Sequence, residues 1–204
     1  MDPDSSIPSS AAVVCTGNAH KVRELDALLP GLRLEPLPTG TVLPPEIGET
    51  FLDNARIKAH AGAAMLPGRW VLADDSGLIV DSLDGRPGVH SARFAGENAT
   101  DDDNVRLLLR ELEPFHDPDL RAARFACVLV AIAPDGTEHH AEGFVEGRIA
   151  EAPSGDGGFG YDPVFVPTGH DESFAELGDE IKAGMSHRAA AASTLRTNLA
   201  GIFG

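Results

Sequence analysis

The chain has 204 residues, is 42% hydrophobic and 24% charged, and carries a formal net charge of -16. This length and balance suit a single well-packed soluble domain, whereas the negative charge opposes a general nucleic-acid binder and the unaided capture of a polyphosphate. No apolar run approaches the roughly 20 residues of a membrane span, and residues 1–10, with their acids, serines and prolines, lack the basic start of a signal peptide.

Residues 1–10 are therefore expected to be a disordered tail, residues 11–204 a single domain, and the protein cytoplasmic. Cys15 and Cys127 lie in apolar runs and read as buried thiols rather than a disulfide. Ala11 to Thr16 reads as a short buried strand ending in Thr16-Gly17-Asn18. Asn18 is a good cap for the next helix, whose apolar face is Val22, Leu25, Leu28 and Leu29. With Lys21 in its first turn, this helix start either cradles an anion on backbone N–H groups or is a plain capped connection; it lacks the glycines of a P-loop. A strand at Leu32 to Leu37 leads into a Pro- and Gly-rich loop, Pro38 to Gly48, and Thr50 is placed to cap a helix from Phe51 to about Met65. Asn54 and Lys58, four apart, share one face of it. Glu46, on the loop before it, either caps the helix or reaches a metal.

Trp70 to Ala73 reads as a buried strand delivering Asp74 and Asp75 into a Ser76-Gly77 turn, which a second apolar run, Leu78 to Val80, leaves at once. Side chains alternate along a strand, so the two carboxylates should point to opposite sides, one toward a cleft and one bracing the turn. Such a pair costs desolvation energy unless cations or donors satisfy it; an acidic Asx-type turn is the plain alternative. Asp84 to Gly88 is a turn cluster, and Ser91 to Gly96 leads to a helix capped near Thr100 or Asp101, with Val105, Leu108, Leu109 and Leu112 as a structural face. Phe125 to Ala133 and Ala141 to Ile149 predict an antiparallel hairpin, with His139 and His140 exposed at its mouth.

The stretch Gly155-Asp156-Gly157-Gly158-Phe159-Gly160-Tyr161-Asp162-Pro163 is too open for a core strand. It either presents an aromatic on which a base can stack or is a surface loop whose aromatics tuck into the core. Phe165 to Pro167 is a short apolar stretch, Ala183-Gly184-Met185 reads as flexible, and Ser186 to Phe203 is an alanine-rich helix with Ser186-His187-Arg188 at its start. Of 16 lysines and arginines only three are lysines, and Lys21, Lys58 and Lys182 all fall in these windows. Lysine is a usual point-charge partner for phosphate. Carboxylates for Mg²⁺, lysines and a helix start for phosphates, and an aromatic for a base together suggest metal-assisted hydrolysis of a nucleotide.

The ordered set of these motifs resembles the inosine/xanthosine triphosphate pyrophosphatase family, which clears non-standard purine nucleotides. The resemblance rests on Thr16-Gly17-Asn18 with Lys21 and Glu24, on Glu46, Gly48, Thr50-Phe51, Asn54-Ala55 and Lys58-Ala59, and on Ala73-Asp74-Asp75-Ser76-Gly77-Leu78. It continues through Gly88, Ser91-Ala92-Arg93, Ala95-Gly96, Gly158 to Pro163, Ala175-Glu176-Leu177, Lys182 and Ser186-His187-Arg188, and so covers nearly the whole chain. One departure is Ile181, where many relatives carry Glu.

The resemblance implies an α/β fold, an elongated mixed twisted sheet flanked by helices, in two lobes with the active cleft between them. It implies a homodimer that uses Mg²⁺ to hydrolyse ITP, dITP or XTP to the monophosphate and pyrophosphate, with no nucleic-acid or membrane partner. Asp75 would be the general base and, with Glu46, a metal ligand; Asp74 would be auxiliary. Thr16, Gly17, Asn18, Ala19, His20 and Lys21 would cradle the phosphates, helped by Lys58, while Ser76 orients the substrate. Phe159 would stack on the purine, with Gly160, Tyr161 and Asp162 shaping the pocket and Lys182, His187 and Arg188 reading the base edge. A pyrimidine-nucleotide hydrolase, a nucleotide sensor without turnover and a nucleic-acid binder are the competing readings.

Overall fold

The computed structural model describes residues 11–199; the tail predicted over residues 1–10 lies outside the described residues. Six strands form one mixed sheet in the order β2-β1-β3-β4-β5-β6. The short β1 (Ala11–Val14) runs parallel to both β2 (Arg33–Pro36) and β3 (Trp70–Val80). From β3 onward the pairing is antiparallel, through β4 (Ala122–Ile132), β5 (Glu138–Ile149) and β6 (Phe165–Pro167). The β4–β5 hairpin is the one predicted from the runs Phe125 to Ala133 and Ala141 to Ile149.

Helices cover both faces of the central strands, which are buried along most of their length, and β5 alternates because only one of its faces is covered. On one face α1 (Ala19–Leu28) and α5 (His187–Leu199) bury Leu25, Ala191, Ala192 and Leu195 against Val14, Leu72, Leu129 and Ala141. On the other, α2 (Phe51–Met65) packs Ala55 and Ala59 on Cys15, Val71, Ala73 and Val130. A third cluster joins α3 (Asp101–Glu111), through Val105 and Leu108, to Leu78, Val80, Phe125, Tyr161 and Phe165. The helix starts follow the sequence: Asn18, Thr50 and Thr100 all cap with their side chains. Both cysteines are free and buried, as expected.

Several expectations need correction. Asp74-Asp75-Ser76-Gly77 is no turn: β3 runs unbroken for 11 residues, and all four residues pair with β4. A polar turn signature survives inside a strand because helices on both faces bring charged partners to it. The Ala183–Met185 run is not loose but forms the last turn of a further helix, α4 (Phe174–Met185), which kinks at Gly178, where φ is 79°. Its start carries a capping box, Ser173 with Glu176. His139 is half-buried rather than exposed, its ring 6.2 Å from that of Trp70, whereas His140 is exposed.

Close approach of α5 to β5 is what places His187 and Arg188, and it depends on Gly143. A Cβ there would overlap the main chain at His187 and Ala191. Gly143→Ala is expected to destabilise the protein by about 1–3 kcal/mol, the usual cost of overpacking, read as a fall in the denaturant midpoint with an unchanged slope.

Candidate active site

The site grows from the parity of β3. Leu72 faces α1 and α5, so Asp74 does too; Val71 and Ala73 face α2, and so does Asp75. Each carboxylate meets cations from the helices on its own side. Asp74 is fully buried, 3.0 Å from Lys21 Nζ of α1 and 3.2 Å from Arg188 Nε of α5. Burial alone would push its pKa up, but Lys21, Arg188 and Lys58 outweigh that and hold it well below the usual carboxylate range. Arg188 also pairs with Glu24 of α1 and donates to Ser76 Oγ at 2.8 Å.

On the α2 side, Lys58 Nζ lies 2.5 Å from Glu46 Oε1 and 3.3 Å from Asp75 Oδ1. Asp75 is 5% exposed, and its Oδ2 has no hydrogen-bond partner among the described residues. Its pKa is raised: burial is the main cause, Glu46 and Asp74 add to it, and Lys58 and Lys21 oppose it. Burial disfavours the Lys58 ammonium, but Asp75, Asp74 and Glu46 keep its pKa above the usual lysine value, so the group stays charged. The Glu46 loop is fastened by Gly48 N–H to Asn54 Oδ1 at 2.7 Å and by Arg93 Nη2 to the Glu46 carbonyl at 3.1 Å.

Opposite this floor stands the glycine loop. Gly158 and Gly160 adopt φ of 73° and 63°, a left-handed backbone that suits glycine. Asp162 Oδ2 accepts from Phe159 N–H at 2.8 Å and from Lys182 Nζ at 2.6 Å, and Lys182 reaches Glu24 at 2.8 Å. Lys182 Nζ lies 4.7 Å from the centre of the Phe159 ring, and Arg188 Cζ lies 5.7 Å from it. Tyr161 is buried and donates its hydroxyl to the Ser91 carbonyl at 2.8 Å. His187 stacks on Phe125 at 4.8 Å; burial, then Arg188 and Lys182, push its pKa well below the usual histidine value, so the ring is neutral.

These walls enclose a cleft of about 660 Å³. Thr16, Gly17, Asn18, Lys21, Glu46, Lys58, Asp75 and Ser76 line it together with Phe159, Gly160, Tyr161, Asp162, Lys182, His187 and Arg188. Two residues of the expected phosphate cradle fall outside: Ala19 and His20 are exposed and line no part of the cleft. Residues three apart on a helix share a face, so Asn18 and Lys21 turn inward while the two between turn away. His20 instead packs against Phe159, ring centres 5.2 Å apart and the planes tilted by 34°.

The structure adds wall residues to which the sequence assigns no role there: Arg93, Asp101 and Asn104. Glu24, quoted only as part of a motif, joins Lys182 and Arg188 behind the cleft. Asp101 and Asn104, three apart on an otherwise apolar-faced helix, were the available signal; Glu24 gives none without knowing which helices meet.

Fold and site together define an α/β protein whose main cleft is lined by lysine–carboxylate pairs below and an aromatic on a glycine loop above. Residues 12–198 match the Ham1 family, and the chain belongs to that family. It is 47% identical over 197 residues to a dITP/XTP pyrophosphatase of Methylococcus capsulatus, covering 94% of this chain and 97% of that one. With a dITP/XTP pyrophosphatase of Shigella flexneri it shares 45% over 188 residues, 90% of this chain and 94% of the other. The Staphylococcus aureus Ham1 protein superposes with a TM-score of 0.83 at 37% identity, covering 94% of this chain and 99% of that one. A Mycobacterium abscessus nucleoside-triphosphatase / dITP/XTP pyrophosphatase superposes with a TM-score of 0.72 at 40% identity, covering 91% and 97%.

The neutral, buried His187 makes stability pH-dependent. Its folded pKa lies below the unfolded value near 6.5, so below that pH the unfolded chain binds more protons and stability falls as pH drops. The contribution is complete above about pH 6.5 and is lost at up to about 1.4 kcal/mol per pH unit below it. Denaturant unfolding at pH 7.5 and 5.5 should show this loss, and His187→Gln should flatten it.

Proposed function

We propose that this chain is a nucleoside-triphosphate pyrophosphatase that hydrolyses ITP, dITP and XTP to the monophosphate and pyrophosphate. The observation that carries the reading is Asp75, a buried carboxylate with a raised pKa and an unpartnered Oδ2, facing a cleft whose opposite wall presents Phe159. A raised carboxylate pKa makes Asp75 a better base toward a water attacking the α-phosphorus. The O–P bond forms as the α–β bridge bond breaks, the water proton passes to Asp75, and pyrophosphate leaves. The helix start at Asn18, with Lys21, suits the phosphates, and the charged Lys58 holds Glu46 and Asp75 at a fixed spacing. The names of the relatives support the substrate class.

The donor set also fits Mg²⁺. Two carboxylates, one with a free buried oxygen, match an ion that takes one or two protein carboxylates and completes its shell with waters and substrate phosphates. Glu46 and Asp75 would hold it; when bound it would offset charge on the phosphates and the departing pyrophosphate.

Base choice would follow from donors. Lys182 has three N–H hydrogens and Arg188 five; two and three of them are engaged by Glu24, Asp162, Asp74 and Ser76, leaving others for a C6 oxygen. Adenine, with an amino group there, would leave such donors unpaired, which discriminates strongly. The same reading takes residues 11–204 as one domain working as a cytoplasmic homodimer that keeps deaminated purines out of nucleic acid. No helix among the described residues is long and apolar enough to cross a membrane.

Pyrophosphate release with Mg²⁺ from ITP, dITP, XTP, ATP, GTP, UTP and dTTP tests the proposal. Preference for the first three is expected; turnover of pyrimidine nucleotides alone would overturn the account of the base pocket, and ITP binding without turnover would indicate a sensor. Asp75→Asn should lower kcat at least about a hundredfold while ITP binding, measured by calorimetry, stays within about threefold of the parent. Near-normal turnover would remove Asp75 from the role of base.

A further inference from the structure

Helix α3 offers more than its apolar face. Asp101 and Asn104, in its first turn, both reach the cleft wall. Asn104 is 2% exposed; its Oδ1 accepts from Ala95 N–H at 2.8 Å and its Nδ2 donates to the Ala92 carbonyl at 3.2 Å, bracing the segment that carries Ser91. Asp101 spans to the other wall, where its Oδ2 accepts from Gly160 N–H at 2.8 Å.

The preceding N–H in that loop, of Phe159, is the one held by Asp162. Two successive main-chain N–H groups are thus each bound by a carboxylate, from different elements. Asp162 is buried and tied to Lys182, and Asp101 projects from a helix start fixed by the Thr100–Asp103 capping box. Between these two anchors sits the Phe159 ring, on a backbone whose flanking glycines Gly158 and Gly160 have the widest conformational freedom of any residue. Asp162 restrains one side of the aromatic. On the other side, the side-chain hydrogen bond to α3 among the described residues is the one from Gly160 N–H to Asp101.

We propose that Asp101 is a positioning residue for base recognition: by holding Gly160 N–H it fixes the face that Phe159 presents to the purine. The inference rests on the nucleotide reading above. Among the described residues no hydrogen bond or ion pair joins Asp101 to Asp75, Glu46 or Lys58, so its effect falls on affinity for the base and not on phosphate chemistry. An interaction made equally in ground and transition state appears in KM, not in kcat.

The test compares the parent protein with Asp101→Ala and Asp101→Asn, using ITP turnover and competitive inhibition by IMP, which carries the base, and by inorganic tripolyphosphate, which does not. Asp101→Ala is expected to raise KM for ITP and Ki for IMP by about five- to tenfold, the scale of the net contribution of one typical intramolecular hydrogen bond, with kcat and the tripolyphosphate Ki within about twofold. Asp101→Asn keeps an acceptor oxygen and should restore most of both. Unchanged IMP inhibition in Asp101→Ala, equal weakening of IMP and tripolyphosphate, or a fall in kcat at constant KM would each overturn the inference. A parent protein that neither turns over nor binds ITP would sink the nucleotide reading and this inference with it; a parent that turns it over, beside an unaltered Asp101→Ala, would sink the inference alone.

Discussion

Two neighbouring carboxylates on one strand take different cations as contact partners, and the structure is built around that constraint. Asp74 and Asp75 leave β3 on opposite faces, so each requires its own positive charge, delivered by a different helix. Lys21 from α1 and Arg188 from α5 compensate Asp74, and Lys58 from α2 compensates Asp75. A buried carboxylate without its partner is costly, by several kcal/mol once the partner is removed. The ion pairs therefore couple the placement of three helices to a single point in the sheet. The same asymmetry separates the chemistry: Asp74 is held firmly ionised by two close cations, while Asp75, with one close cation and carboxylates nearby, keeps a raised pKa.

Around this centre the other polar groups act in relays. Glu24 joins Lys182 to Arg188, Lys182 joins Glu24 to Asp162, and Asp162 fixes Phe159 N–H. The aromatic wall is thereby connected through side chains to the Asp74 side of the sheet. Close backbone approach at Gly143 sets the depth of α5 and, with it, the reach of Arg188.

How much of this the sequence discloses depends on how local its cause is. Caps at Asn18, Thr50 and Thr100, the apolar periodicity of α1 and α3 and the two strand-like runs of β4 and β5 are local, and they place elements correctly. The continuity of β3 is not: Asp-Asp-Ser-Gly reads as a turn until cations from three distant segments are present. Helix α4 is hard to read from sequence because Gly178 interrupts its periodicity, although Ser173 and Glu176 spell its capping box. The residues flanking the cleft were legible as motifs, but which cation meets which carboxylate, the outward turn of Ala19 and His20, and the reach of Asp101 are tertiary facts.

The relays also determine how an anion would meet the protein. Lys21, Lys58, Lys182 and Arg188 are each paired, in the cleft or just behind it, with Glu24, Glu46, Asp74, Asp75 or Asp162, so these paired groups carry four formal positive charges against five negative. The whole chain, these groups included, carries a net -16. No attractive long-range field reaches out from such a cleft; its cations act only at contact distance. Encounter with a polyanion is then opposed by repulsion that dissolved ions screen over about 10 Å at 0.1 M. Moderate salt should speed association here, the reverse of a protein that gathers phosphates with an open basic surface.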